Sequence, residues 1–140
     1  MKKLCPITIS NYFYKKYNEN DLMKLNMLTY LSYCWYLKLS DKKLTFELPI
    51  LTKYGIMFNS ILNYVFQVKR ERKINDVIPY KNFTPINDDV SKLLDKIWGL
   101  YGQKDSVYLS ALCMKDRKGL VDGDYIPNKV IIKNYRLKDE

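Results

Sequence analysis

Apolar positions recur along this chain at helical rather than strand spacing. The clearest case lies between Asn87 and Gly102, where Val90, Leu93, Leu94, Ile97, Trp98 and Tyr101 follow one another at steps of 3, 1, 3, 1 and 3. Those steps place six side chains in one stripe of a helix. Asn87 is its expected cap, Asp88 and Asp89 fall in the first turn, and Gly102 stands just past the end. A second segment, Leu22 to Leu39, is apolar over most of its circumference through Leu22, Leu25, Leu28, Leu31, Tyr33, Trp35 and Tyr36. A helix of that kind is covered on several sides and sits centrally.

The remaining segments fill in around these two. A first helix is expected from near Thr8, with Ile9, Tyr12, Phe13 and Tyr17 on one side, until Asn18-Glu19-Asn20-Asp21 breaks the pattern and caps the central helix. Leu44 to Leu51 reads as extended, and Pro49 restricts it to an edge or an irregular piece. Asn59 is the expected cap of a third helix with Ile61, Leu62, Val65 and Val68 inward, and residues 74–86, with two prolines, read as a loop or short hairpin. Asp105 is expected to cap a short helix through Leu109, Leu112 and Cys113. Asp122-Gly123-Asp124 marks a turn, and Pro127 opens a last helix with Val130, Ile131 and Tyr135. The predicted architecture is mainly α: one compact multi-helix domain over residues 1–140 around a central buried helix, with one short extended or hairpin element near residues 44–54.

Composition changes this picture little. A chain of 140 residues fits one domain and can bury a real core. Its 47% hydrophobic content, with 13 Tyr and 5 Phe, argues against wholesale disorder. Abundant Lys, Asn, Tyr and Ile suggest AT-rich coding, as in a low-GC bacterium or its phage. Cys5, Cys34 and Cys113 are odd in number and in no CxxC spacing, the pattern of reduced thiols in a cytoplasmic protein. No apolar stretch follows Lys2-Lys3, and Lys24, Asn26 and Lys38 interrupt the longest apolar run, so neither a signal peptide nor a membrane span is expected.

Charge and side-chain chemistry narrow the function classes. The net charge of +9 favours acidic surfaces, nucleic acid or protein. Its densest run, Lys69-Arg70-Glu71-Arg72-Lys73, reads either as a solvated helix end or as a candidate basic patch of Lys69, Arg70, Arg72 and Lys73 against phosphate. Tyr12, Phe13, Tyr14 and Tyr17, interleaved with Lys15 and Lys16, fit base stacking on single-stranded nucleic acid or, more simply, an amphipathic helix with rings inward. The chain has no histidine, which removes Cys-His nucleophiles and histidine-bearing zinc sites. Cys34, within the central helix, reads as a core residue. Asp88-Asp89 is explained by the helix dipole and Asp122/Asp124 by a turn, and no GxxxxGK[ST] or GxGxxG cradle is present. The expectation is a non-enzymatic protein with no catalytic, cofactor or metal site.

One block points to a family. Met23-Lys24-Leu25-Asn26-Met27-Leu28-Thr29-Tyr30, then Cys34-Trp35-Tyr36-Leu37-Lys38-Leu39-Ser40, then the corner Thr52-Lys53-Tyr54-Gly55, resembles the Panacea domain, which includes SocA-like antitoxins and GepA-type phage-associated proteins. Tyr101-Gly102 followed by Val107-Tyr108-Leu109-Ser110 is similar to a later segment of that family. Thr52 stands where the family has a tryptophan, Ile56 where it has a proline and Cys113 where it has a histidine. The resemblance implies protein binding: an antitoxin that neutralises a cognate toxin by direct contact, in SocA-like members as an adaptor that delivers the toxin to a protease. A phage-encoded inhibitor of a host defence protein is the neighbouring expectation, and a basic nucleic-acid-binding protein is the alternative from another class. The divergent corner makes Lys53, Tyr54, Met57 and Phe58 the expected partner-contacting residues.

Overall fold

The structure, a computed structural model, describes residues 2–71 and 85–135, with the backbone alone at 67–71. Its elements run α1 (Pro6–Tyr17), α2 (Leu22–Ser40), β1 (Ile50–Thr52), β2 (Gly55–Met57), α3 (Asn59–Glu71), α4 (Asp88–Tyr101), α5 (Ser106–Cys113), a 3-10 turn (Met114–Arg117) and α6 (Asn128–Asn134). The protein is mainly helical, as the apolar spacing predicts. No described helix is long and apolar enough to cross a membrane.

α2 is the central element, packed against α1, α4, α5, α6 and β2. Leu25, Leu28, Tyr30, Leu31, Tyr33 and Cys34 on it are all fully buried, which accounts for its apolar circumference. The polar residues buried with them are largely satisfied locally. Thr29 and Ser32 donate back to the carbonyls of Leu25 and Leu28 (both 2.8 Å), Ser10 and Thr29 share a bond of 2.6 Å, and Asn26 donates to Ile56 O at 2.9 Å. Asp21 caps the helix start by accepting from the backbone of Met23 and Lys24. At the far end Asp41, in left-handed conformation (φ 58°), donates its backbone N–H to Leu37 O at 2.8 Å.

Asn87 and Asp105 cap α4 and α5 as expected, accepting from Val90 and Tyr108. Three boundaries differ from the sequence reading. α1 begins at Pro6, a residue suited to the first helical position because its missing N–H has no intrahelical partner there. Pro127 precedes α6 rather than opening it. Asn59 is already inside α3, and the acceptor for the helix start comes from Glu47, whose Oε1 takes the N–H of Ser60 at 2.8 Å.

The extended segment is also less regular than expected. Only Ile50–Thr52 forms a strand, antiparallel to Gly55–Met57 with Leu51 opposite Ile56. Upstream, Leu4 pins the chain by donating to Leu44 O and accepting from Phe46 N. On the outer edge of β1 the Asp122-Gly123-Asp124 turn docks through Gly123 N to Leu51 O (2.7 Å) and Leu51 N to Asp124 O (2.8 Å). Pro49, lacking an N–H, contributes only its carbonyl, to Ile126 N.

Candidate interaction surface

The hairpin corner is built by Thr52. Its Oγ1 donates to Gly55 O (2.8 Å) and accepts from Tyr54 N (3.0 Å), closing a two-residue turn over Lys53 and Tyr54. Gly55 leaves that turn at φ +107°, a conformation that L side chains rarely adopt, which explains the glycine. Thr52 thus has a turn-forming role where the Panacea pattern has tryptophan. Ile56, where that pattern has proline, is a ladder residue in the core.

The four expected contact residues separate into two pairs. Lys53 and Tyr54 lie at the surface, the Lys53 Nζ 5.2 Å from the Tyr54 ring centroid. Met57 and Phe58 are fully buried, and Phe58 meets Tyr33 edge-on at 5.9 Å. Their place in the contact surface is corrected to the core. The cause is that β2 packs against α2 and the 3-10 turn, so the usual in–out alternation is lost. In their stead α3 supplies Phe66, whose ring meets Tyr54 edge-on at 5.7 Å and 74°. Tyr54 and Phe66 are 42% and 44% exposed, so two paired rings and a cation stand on the surface at a hydrogen-bonded corner. Of the basic patch, Arg72 and Lys73 lie outside the described residues, and Lys69 and Arg70 contribute only described backbone, within α3. The expected loop at 74–86 also lies outside them except for Pro85 and Ile86, and so does the side chain of Val68.

The basic-aromatic segment of α1 is committed internally. Phe13 is buried, and Tyr12 and Tyr17 donate to Asp95 Oδ1 at 2.7 and 2.6 Å. Lys16 adds bonds to both Asp95 oxygens (3.0 and 2.9 Å), tying α1 to α4. Tyr17 further stacks on Trp98 at 4.6 Å and 9°. Burial opposes charge on Asp95, but the hydrogen bonds from Tyr17, Tyr12 and Lys16 outweigh it and hold its carboxyl below the ordinary range. A carboxyl depressed in the folded state stabilises above its unfolded pKa and loses that contribution as pH falls through the folded value. Stability should therefore decline on acidification below about pH 4, and less so in an Asp95→Ala variant. Because Lys16 and Asp95 are more than a third exposed, solvent screens the pair, and urea titration at neutral pH should show a loss of about 1 kcal/mol for that variant.

Behind the hairpin lies a polar cluster that the sequence reading does not contain. Asp116, in the 3-10 turn, is 0% exposed. Its Oδ2 accepts from Tyr30 OH (2.6 Å) and Tyr135 OH (2.8 Å), and its Oδ1 from Asn134 Nδ2 (2.7 Å). The carboxyl therefore joins α2, the 3-10 turn and the end of α6. Burial pushes the Tyr30 and Tyr135 hydroxyls and the Cys34 thiol well up. Burial, with Asp116 nearby, pushes Cys113 to about 12. Both thiols are thus protonated at neutral pH and behave as small apolar side chains, as the sequence suggests for Cys34. Asp124 takes the N–H of Val121 at 2.9 Å, a turn role. No group of three or more Cys, Asp or Glu side chains suited to a metal ion occurs among the described residues.

No family model, curated protein or solved structure matches the chain.

Proposed function

We propose that this protein is a non-enzymatic inhibitor that binds another protein by direct contact: an antitoxin neutralising a cognate toxin, in the manner that the Panacea resemblance implies. A host defence protein inhibited by a phage product is the same mechanism with a different target. The observation that supports a binding role is the exposed Tyr54–Phe66 pair with Lys53 over the Tyr54 ring. Of the exposed aromatics among the described residues, Tyr54 and Phe66 meet ring to ring, and Tyr is among the residues that dominate interface energies. The corner is also fixed by the Thr52 hydrogen bonds and the β1–β2 ladder, so little conformational freedom is lost on binding.

The test is co-purification with the product of the adjacent gene, followed by calorimetric titration. A complex with the unaltered chain and an affinity about 100-fold weaker for Tyr54→Ala/Phe66→Ala, its circular dichroism unchanged, is the expected result. No complex at all, or an undiminished affinity in the double variant, would count against the reading.

A further inference from the structure

A largely apolar groove lies between α2 and α4. Trp35 and Leu39, one turn apart on α2, form one wall. Leu93, Lys96, Ile97 and Leu100 of α4, which recur at i, i+3, i+4 and i+7, form the other. The space between them is a cavity of about 250 Å³. Trp35 is held in its wall by the bond from its Nε1 to Tyr101 OH at 2.9 Å. Its rims are two leucines left in solvent on facing helices, Leu39 at 59% and Leu100 at 60% exposed. Neither belongs to the Lys53–Tyr54–Phe66 corner.

We infer that this groove takes an acidic amphipathic helix of a partner protein. The groove offers an apolar trough without a sheet edge, because its walls are helices whose backbone groups are already paired. An incoming helix ridge fits such a trough, whereas an added strand has nothing to pair with. The sign of the partner follows from charge. The lining holds one cation, Lys96, and no carboxylate. Lys92 lies one turn before it, and Lys38 adjoins Leu39. Among the described residues none of these three lysines has an ion-pair partner, since the pairs formed there are Lys16–Asp95 and Lys24–Glu19. Asp95, next to Lys96 in sequence, is turned toward α1 and held by Tyr12, Tyr17 and Lys16. The nearest other acids of α4, Asp88 and Asp89, belong to its first turn, where they complement the helix dipole. A helix presenting leucines to the trough and Glu or Asp along its flanks meets both the apolar walls and these three ammonium groups.

The probe is a fluorescein-labelled helical peptide of about four turns with Leu at i, i+3, i+4 and i+7 and Glu elsewhere on its flanks, beside a copy with Lys in place of every Glu. Anisotropy should show saturable binding of the Glu peptide and binding at least about tenfold weaker for the Lys peptide in the same buffer. Leu39→Ser/Leu100→Ser, both at exposed positions, should weaken the Glu peptide by about tenfold or more, and Lys96→Glu should reverse the preference between the two peptides. Tyr54→Ala/Phe66→Ala should leave peptide binding unchanged, which separates this surface from the corner. Equal binding of both peptides, or binding indifferent to Leu39 and Leu100, would overturn the inference. So would a concentration-dependent dimer in sedimentation that Leu39→Ser/Leu100→Ser abolishes, because the groove then belongs to a second copy of the chain.

Discussion

Asp116→Ala is expected to lower the thermal midpoint by about 10 °C, a loss of about 3 kcal/mol. Three donors converge on this one carboxyl, and all three lose their acceptor together. At 0% exposure the site offers water no direct access, so the hydroxyls of Tyr30 and Tyr135 are left buried without a partner. The truncation also leaves a space where the carboxyl stood, between α2 and the end of α6. Tyr135→Phe is the informative comparison. It removes one donor, the carboxyl keeps the other two, and the loss should be about 1 kcal/mol. Because the groups act as one network, Asp116→Ala/Tyr135→Phe should cost less than the two single losses added. Amide exchange gives a separate readout: α6, whose last residue Asn134 and following Tyr135 both donate to Asp116, should exchange faster in Asp116→Ala than α4 does. A melting point within about 2 °C of the unaltered protein would show that the cluster contributes little to holding α6 in place.

That cluster also marks where sequence reasoning stops. The features legible in the chain are local in cause. Asn87, Asp21 and Asp105 cap helices through bonds to backbone two or three residues on, and the stripe of α4 follows from spacing alone. What escaped is long-range. Asp116 sits in the charged run Lys115-Asp116-Arg117-Lys118, where nothing in composition separates the buried acid from its solvated neighbours. Its partners come from positions 30, 134 and 135. Glu47 replaces Asn59 as the acceptor at the start of α3 for the same reason, since it reaches Ser60 across the hairpin. At the corner the sequence located the turn but not its depth. Met57 is buried because β2 packs against α2 and the 3-10 turn, Phe58 because it follows β2 and meets Tyr33 of α2, and Phe66 enters the surface because α3 turns it toward Tyr54. The surface halves of a site and its buried support carry the same residue types, and only packing tells them apart.

Packing decides the second large effect as well, because two glycines three residues apart should respond to alanine with opposite sign. Gly102 has φ −63°, open to any residue, so its requirement is space rather than conformation. A Cβ there would stand 2.5 Å from Trp98 Cδ2 and 2.5 Å from the Trp98 carbonyl oxygen. The indole has little room to retreat. Tyr17 stacks on it at 4.6 Å, Phe13 lies 6.3 Å away, and Lys24 Nζ sits 5.3 Å from the ring. The same Lys24 ammonium donates to Gly102 O (2.7 Å) and pairs with Glu19 (2.8 Å), so moving the ring or the chain disturbs the link between α2 and the end of α4. Gly102→Ala should therefore cost about 2 kcal/mol. Its near-ultraviolet circular dichroism should change with it, because Trp98 leaves its stack. Gly99, exposed in the interior of α4, meets neither obstacle, since beyond the backbone of its own helix and its chain neighbours no described atom lies within 4 Å of where an alanine methyl would stand. Gly99→Ala should stabilise by about 0.5–1 kcal/mol, since alanine restricts the unfolded chain and suits the helix. Urea titrations of the two variants measure both signs directly. If Gly102→Ala were as stable as Gly99→Ala, the Trp98 stack could not be what demands glycine after Tyr101, and the Tyr101-Gly102 pair would need a cause outside the packing of α1 on α4.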